Sequence, residues 1–353
     1  MTRFIARLLL YACFIVIGSV SALAGNGSAD IEAYSKALSI YDSIFVRYQS
    51  VEPQIRTVDE FKGLEVQECS FLSDRGQRLA GYIYSKKGLK PVGVVIIAHG
   101  LGVGGQCVYM AVADYFTSHG YLVFAYDATG NDKSEGASGV GMEQGIIDLS
   151  HAIDYVEHDR VMRHYPIVLF GHSWGAYCVG AVLNVHPEVK AVVAVSGFNS
   201  TTDYFRYVAD VEDTDGTLSM LAPYVERIEK QKFGKYADYT ALKGFANTEA
   251  GIMIIHSKDD QNVAESLGYD LYYKKYKDDE RFRFKLYENR KHMYIFYADE
   301  AVAYDQKRID DRTLAPTAYG RNHAFDKSKG YKLDTALFSD ILDFYDAYCL
   351  PSR

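Results

Sequence analysis

The chain has 353 residues, of which 48% are apolar and 24% are charged, and its formal net charge is −8. This balance is typical of a globular protein and excludes a disordered or collagen-like chain. The acidic excess and the lack of a stripe rich in lysine and arginine argue against a nucleic acid partner, because phosphate binding requires clustered cations.

The first 24 residues differ in kind from the rest of the chain. Arg3 and Arg7 precede an apolar run over residues 8–20, and Ala22-Leu23-Ala24 supplies small residues for a cleavage site. This order is typical of an export signal. The apolar run is shorter than the roughly 20 residues that span a bilayer, so a permanent membrane anchor is the weaker alternative. We predict that residues 1–24 are a signal peptide, that the protein is exported, and that it contacts a membrane only through this segment if the segment is not cleaved.

The cysteines do not follow the spacing of a disulfide framework. Cys69, Cys107, Cys178 and Cys349 are scattered among apolar segments, which favours buried free thiols although export would permit disulfides. Cys13 lies within the apolar run, which continues past it, and this disfavours a lipid-modified cysteine. No cysteine and histidine spacing suggests zinc, and the glycine-rich loop near residue 102 lacks the lysine of a phosphate-binding loop. No metal or cofactor is predicted.

The first elements of the predicted mature chain are a helix and a hairpin. Apolar residues recur at helical spacing over residues 33–48, and Pro53 then introduces a linker, so residues 25–60 are predicted to be an N-terminal helix and linker. Two extended runs, over residues 64–72 and 79–84, are separated by a polar turn. They predict a β-hairpin.

From residue 91 onward, strand and helix patterns alternate, which is typical of a parallel sheet covered by helices on both faces. The predicted strands cover residues 92–98, 121–126, 167–170, 189–195, 252–256 and 282–287, and the predicted helices cover residues 108–118, 146–156, 176–185 and 335–348. Polar and aromatic helical patterns interrupt the alternation at about residues 198–250. The sheet requires nothing there, so we predict a helical lid over a pocket, within one α/β domain that covers residues 61–353.

The pentapeptide GHSWG, residues 171–175, follows a buried strand and leads directly into a helical segment. This context predicts a nucleophile elbow, whose strained backbone lifts the hydroxyl of Ser173 above the sheet edge. The two glycines remove side chains that would clash there. An ordinary strand-to-helix turn is the alternative.

A serine hydroxyl is a weak nucleophile, so the site also needs a base and an acid that orients the base. The base should follow the final strand, where His292 is the predicted residue and His323 is the alternative. Two adjacent carboxylates follow an earlier strand. Of these we predict Asp260 as the acid and expect Asp259 to face solvent or cap a helix. Asp203, after the preceding strand, is a further alternative.

Two backbone N–H groups, those of Leu101 and Trp174, are the predicted donors for the developing oxyanion. The side chain of Trp174 either packs beside the elbow or lines an acyl pocket. His99 and His172 adjoin the two motifs, and we expect them to be structural residues that hydrogen bond the loop backbones.

The segments HGLG at 99–102, YDATGNDKSEG at 126–136, GHSWG at 171–175 and DDQNV at 259–263, together with His292, resemble those of the α/β-hydrolase superfamily. Over about residues 64–350, the chain is similar to bacterial lysophospholipase and monoglyceride-lipase-like esterases, which are also grouped with serine aminopeptidases. The resemblance implies the α/β-hydrolase fold, with a mostly parallel sheet of the eight-stranded type.

The chain departs from these relatives at two places. Relatives carry a segment of the form Asp-x-Arg-Gly-His-Gly-x-Ser, and residues 127–134 here lack its Arg and His. The stretch over residues 297–333 is also longer than in many relatives.

The sequence therefore predicts an exported serine hydrolase that cleaves carboxylic esters, with a small-molecule ester or a lipid-like molecule as substrate. The same triad also serves peptide hydrolysis and acyl transfer, because specificity belongs to the pocket. A catalytically silent binding protein that has kept the fold is a third hypothesis.

Overall fold

The structure is a computed structural model and describes residues 26–102, 105–310 and 325–350. The predicted signal peptide and His323 lie outside these residues. The eight strands of the described residues are, in chain order, β1 (Leu64–Leu72), β2 (Arg78–Lys86), β3 (Gly93–Ala98), β4 (Tyr121–Tyr126), β5 (Ile167–His172), β6 (Ala191–Val195), β7 (Gly251–Ser257) and β8 (Phe282–Tyr287).

The α-helices of the same ranges are α1 (Asn26–Ile44), α2 (Met110–Ser118), α3 (Gln144–His158), α4 (Trp174–Ala181), α5 (Thr201–Glu212), α6 (Thr217–Leu221), α7 (Val225–Phe233), α8 (Ala241–Ala246), α9 (Tyr269–Tyr276), α10 (Asp299–Asp310), α11 (Lys327–Gly330) and α12 (Thr335–Cys349). Within the described part of the chain, no helix combines the length and the apolar content that a membrane span requires.

All eight strands form one sheet in the order β1-β2-β4-β3-β5-β6-β7-β8. The strands β1 and β2 form the predicted antiparallel hairpin, β2 pairs antiparallel with β4, and the remaining neighbours are parallel. The strands β3, β4, β6 and β7 are buried along their whole length, because helices cover both faces of the sheet. The predicted α/β-hydrolase fold, with a mostly parallel eight-stranded sheet, is therefore confirmed.

The sheet separates two apolar layers. One layer contains buried residues of α1, α3 and α4 and of the helices between β6 and β7, and the other contains buried residues of α2 and α12. The N-terminal helix α1 therefore packs on the same side of the sheet as α4, the helix that follows Ser173.

The segment predicted to be a lid, residues 198–250, contains α5 to α8 between β6 and β7. Its aromatic side chains mostly contribute to packing. Tyr204, Phe205 and Phe233 are buried, and Tyr204 stacks on Phe198, which in turn stacks on Tyr177 of α4.

Tyrosines form much of the core, in keeping with the thirty tyrosines of the chain. The largest fully buried side chains include Tyr41, Tyr84, Tyr121, Tyr177 and Tyr345. The hydroxyl of each donates a hydrogen bond to another part of the chain. The polar tip of the ring is thereby satisfied while its apolar body is buried.

The cysteines Cys69, Cys107, Cys178 and Cys349 are all free thiols, as predicted. Cys107 and Cys178 are buried, whereas Cys69 and Cys349 are only partly covered.

Candidate active site

The elbow at Ser173 connects β5, which ends at His172, directly to α4, which begins at Trp174. Ser173 has φ 59° and ψ −119°, a left-handed conformation that non-glycine residues rarely adopt. A Cβ atom on Gly171 would lie 2.3 Å from the carbonyl oxygen of Gly175, and one on Gly175 would lie 2.0 Å from that of Ala98. Only glycine fits at these two positions, because the strand, the helix and β3 approach each other so closely.

The predicted acid and base are brought together by the loops after β7 and β8. His292 Nδ1 lies 2.8 Å from Asp260 Oδ2, and both residues are buried. The other carboxylate oxygen accepts the N–H groups of Asn262 and Val263 at 2.9 and 3.0 Å. Burial alone would raise the pKa of Asp260, but these contacts, above all the one with His292, outweigh burial and lower it. The carboxylate therefore stays charged and holds the proton of the imidazole on Nδ1.

The alternative acids have other partners. Asp259 is partly exposed, as expected, and it caps no helix of the described residues; its Oδ1 accepts the N–H of Lys291 and the hydroxyl of Ser257, each at 2.7 Å. It thus anchors the loop that carries His292. Asp203 is exposed in the first turn of α5, where it accepts a hydrogen bond from Ser200 at 2.7 Å.

Ser173 lies beside this pair. The ring of its neighbour His172 is 4.8 Å from the ring of His292, and the two residues share a hydrogen bond. The side chain of Ser173 is half-buried, and within the described residues its hydroxyl forms no hydrogen bond to His292. Such contacts are often long in unliganded enzymes and tighten when substrate binds.

The predicted oxyanion donors belong to two segments that adjoin Ser173. A Cβ on Gly100 would be 3.4 Å from Ser173 Cβ, so the loop that continues to Leu101 approaches Ser173 closely. Trp174 is the first residue of α4, and its N–H therefore has no acceptor within that helix. The Trp174 indole is buried and donates to the carbonyl of Met142 at 2.8 Å, so it packs beside the elbow.

Residues 99–102, which carry the predicted donor Leu101, are called the oxyanion loop. Two carboxylates bind the backbone shortly after this loop. Gly105 donates its N–H to Asp132 at 3.2 Å, and Gln106 donates to Asp127, also at 3.2 Å. Burial raises the pKa of Asp127 to about 6. The segment 127–134 thus supports this loop although it lacks the Arg and His found in relatives. Arg47, which follows α1, donates to three carbonyls of the same segment and its surroundings.

His99 hydrogen bonds the loop backbones, as the sequence predicts. Its Nε2 accepts the N–H of Ala128 at 3.0 Å, and its Nδ1 lies 2.8 Å from the carbonyl of Gly100. The carbonyl can only accept, so Nδ1 carries the proton of a neutral ring. Burial accordingly lowers the pKa of His99.

Sequence reasoning missed Tyr109 and Arg47 and did not assign the anchoring role of Asp259. Tyr109 belongs to a short turn before α2, and its hydroxyl lies between Gly100 and His172. None of these residues belongs to a motif, and the chain has many tyrosines. No sequence signal distinguishes Tyr109 from the others.

A family model described as "Serine aminopeptidase, S33" matches residues 89–238. The match includes Ser173 and the oxyanion loop and ends before Asp260. Two putative Xaa-Pro dipeptidyl-peptidases, from Bacillus cereus and Bacillus anthracis, are 22% and 23% identical over alignments of 187 positions, which cover 42% of this chain. The alignments cover 32% and 31% of these relatives, so the chain spans about a third of their length.

Several solved structures share the fold. An esterase from Pyrococcus furiosus aligns with 86% of this chain and 98% of its own, with a TM-score of 0.57 and 16% identity. An α/β hydrolase from a Penicillium species aligns with 81% of this chain and 99% of its own, with a TM-score of 0.53 and 14% identity. An acylaminoacyl peptidase from Pyrococcus horikoshii aligns with 84% of this chain and 43% of its own, with a TM-score of 0.53 and 15% identity. At these identities, the likeness shows the fold.

Proposed function

We propose that this chain, which has the α/β-hydrolase fold and matches the serine aminopeptidase family model over residues 89–238, is a serine hydrolase that cleaves carboxylic esters with Ser173, His292 and Asp260. The observation that carries the proposal is the left-handed elbow at Ser173 beside the buried hydrogen bond between His292 and Asp260. A buried imidazole held by a carboxylate next to a strained serine is the arrangement that activates a hydroxyl nucleophile.

The proposed reaction has two steps. Ser173 Oγ attacks the acyl carbon while His292 Nε2 takes its proton, and the alcohol then leaves with that proton. Water next attacks the acyl-enzyme and gives a proton to His292, and Ser173 regains its proton as the acid is released. The N–H groups of Leu101 and Trp174 stabilise the oxyanion of both tetrahedral intermediates.

Replacement of Ser173 tests this proposal, and Ser150 supplies a matched control. Ser150 Oγ is hydrogen bonded to His186 at 2.8 Å, and His186 contacts Glu188 at 2.8 Å. Of this second serine, histidine and acid set, Ser150 lies within α3, where the helix occupies the backbone N–H groups that an oxyanion would need.

We expect Ser173→Ala to lower kcat for short p-nitrophenyl esters by about a thousand-fold or more, and Ser150→Ala to leave it unchanged. A fluorophosphonate probe should label the parent and Ser150→Ala but not Ser173→Ala. Parental turnover by Ser173→Ala would exclude the mechanism. A parent that binds esters but reacts with no serine-directed probe would instead indicate a binding protein.

The serine aminopeptidase family model and the putative dipeptidyl-peptidase relatives favour a second candidate, hydrolysis of a peptide bond by the same residues. The esterase from Pyrococcus furiosus matches over nearly its whole length, whereas the peptidases match over less than half of theirs, and this supports the ester. Values of kcat/KM for an ester and an anilide with the same acyl group would decide between them. A preference for the anilide would favour the peptidase. Product formation with an added alcohol would indicate acyl transfer.

We further propose that the protein is exported and acts on a small-molecule or lipid-like ester bound beneath the segment 198–250. The charged and apolar pattern of residues 1–24 supports export. N-terminal sequencing of the protein from an extracytoplasmic fraction should find a chain that begins near residue 25. Recovery of the intact chain in the cytoplasm would contradict export.

A further inference from the structure

A second set of buried polar contacts surrounds Ser173, and the proposed reaction does not use it. Gly100 donates its N–H to the hydroxyl oxygen of Tyr109 at 3.1 Å. The same hydroxyl lies 2.9 Å from Nδ1 of His172, and Nε2 of His172 lies 3.1 Å from the carbonyl oxygen of His292. These three contacts form one continuous chain of hydrogen bonds.

The two ends of this chain determine the direction of every bond in it. The carbonyl of His292 can only accept, so Nε2 of His172 carries a proton and donates it. Burial lowers the pKa of His172 to about 3, so the ring is neutral and Nδ1 is a bare acceptor. Tyr109 must therefore donate its single proton to His172, and its oxygen accepts the N–H of Gly100.

Each end of the chain reaches a different part of the candidate active site. Gly100 precedes Leu101, whose N–H is a proposed oxyanion donor. A Cβ atom placed on Gly100 would lie 3.4 Å from Ser173 Cβ. His292 is the proposed base: His172 contacts its backbone carbonyl, and Asp260 holds its ring. His172 is the residue before the nucleophile. The two side chains thus connect three loops that supply separate parts of the chemistry.

We propose that Tyr109 and His172 are positioning residues that hold the oxyanion loop and the loop of the base in a fixed relation to Ser173. This inference rests on the proposed function. Catalytic groups must be held within a fraction of an ångström, and hydrogen bonds between buried groups provide such rigidity. Tyr109 and His172 are both buried, so removal of the tyrosine hydroxyl leaves two polar groups without a partner.

Tyr109→Phe tests whether Tyr109 positions the loop that carries the proposed oxyanion donor Leu101. We expect kcat per titrated active site to fall by about ten- to a hundred-fold while KM changes by less than about three-fold, because oxyanion contacts form in the transition state. Tyr345→Phe is the matched control. It removes another buried tyrosine hydroxyl, which donates to the carbonyl of Leu169 at 2.7 Å, and should leave kcat per site unchanged.

Two substitutions of His172 test whether this residue positions the loop that carries the proposed base, His292. Gln places an amide N–H near the position of Nε2 and keeps the donor to His292, whereas Asn places an amide oxygen near Nδ1 and loses that donor. We expect His172→Asn to move the acid limb of the kcat/KM profile to lower pH, because a looser His292 makes a weaker hydrogen bond to Asp260. His172→Gln should retain the parental acid limb.

The outcomes separate this inference from the proposed function. If Ser173→Ala is inactive while Tyr109→Phe and His172→Asn keep the parental kcat and pH profile, the inference is wrong and the function stands. If the variants lose only thermal stability and the fraction of titratable sites, with kcat per site unchanged, Tyr109 and His172 are merely structural and the inference is again wrong. If Ser173→Ala retains activity, the proposed function itself has failed.

Discussion

At the scale of single residues, the strained conformation of Ser173 depends on the glycines around it. A positive φ at a non-glycine residue costs energy, and the surrounding contacts must supply it. Ser173 donates its N–H to Val195 at 2.9 Å, which fixes the elbow to β6. The close approach of Gly175 to β3 then determines the direction in which α4 leaves the elbow.

Gly175→Ala should destabilise the protein strongly. The new Cβ would lie 2.0 Å from the carbonyl oxygen of Ala98, a main-chain atom of a central strand that cannot move cheaply. We expect the free energy of unfolding in urea to fall by about 2–3 kcal/mol or more, with loss of titratable active sites. Gly139→Ala is the control, because its Cβ would meet no atom closer than 3.8 Å. Similar losses for the two variants would contradict this account of the elbow.

At the scale of elements, α1, α7 and the start of α3 meet at a pair of buried carboxyls. Tyr41 of α1 donates its hydroxyl to Glu229 of α7, and Glu143 precedes α3. Burial raises the pKa of both carboxyls, and the charge of Glu143 raises that of Glu229 further, whereas Lys232 partly opposes the shift. The pair therefore favours a protonated state at this junction.

Glu229→Gln should be more stable than the parent at high pH. A carboxyl whose pKa is raised by folding holds its proton more tightly in the folded state, so it destabilises the fold as the pH rises above the pKa of the unfolded chain. The free energy of unfolding of Glu229→Gln should exceed that of the parent at about pH 8, and the difference should shrink toward about pH 5. Glu226→Gln on the same helix, where the side chain is 57% exposed, should show no such trend. If the difference in free energy of unfolding between Glu229→Gln and the parent does not change with pH, the pKa of Glu229 is not raised by folding.

At the scale of the whole molecule, buried neutral histidines make the free energy of unfolding decrease as the pH falls. His99, His172 and His256 are all buried, and burial lowers the pKa of each. The unfolded chain binds a proton at each of these residues near pH 6.5, whereas folded His172 does so only near pH 3. The full contribution of these neutral rings is therefore present above about pH 6.5 and is lost as the pH falls.

His172→Gln should reduce this acid sensitivity. Between about pH 7 and about pH 5, the parent should lose about 2 kcal/mol more of its free energy of unfolding than the variant does, because only the parent titrates at this position. His158→Gln, a substitution of an exposed histidine, is the control and should follow the parent. Equal losses in the parent and His172→Gln would show that His172 is not held neutral.

The elements that the sequence predicted well have strong local patterns. The strands β1, β4 and β8 have the predicted bounds, because extended apolar runs flanked by turns define them. The strand β5 extends two residues beyond the prediction, to His172, since its pairing with β6 continues to Val195. The helices α9 and α10 were not predicted. One is rich in tyrosine and the other has a single buried residue, so neither shows a clear apolar stripe.

The residues of the candidate site also fall into two groups, those that a local sequence pattern predicted and those that it did not. The sequence alone determined the elbow at Ser173, because a strand, a tight turn and a helix are adjacent in the chain, and it also predicted His292 and Asp260 from chain order. Only the tertiary structure shows the contact between Asp260 and His292, since it depends on which carboxylate faces a histidine 32 residues away. The contacts of His172 with Tyr109 and with His292 span 63 and 120 residues of sequence. Contacts at such separations depend on how the sheet brings the loops together. They cannot be predicted from local sequence periodicity.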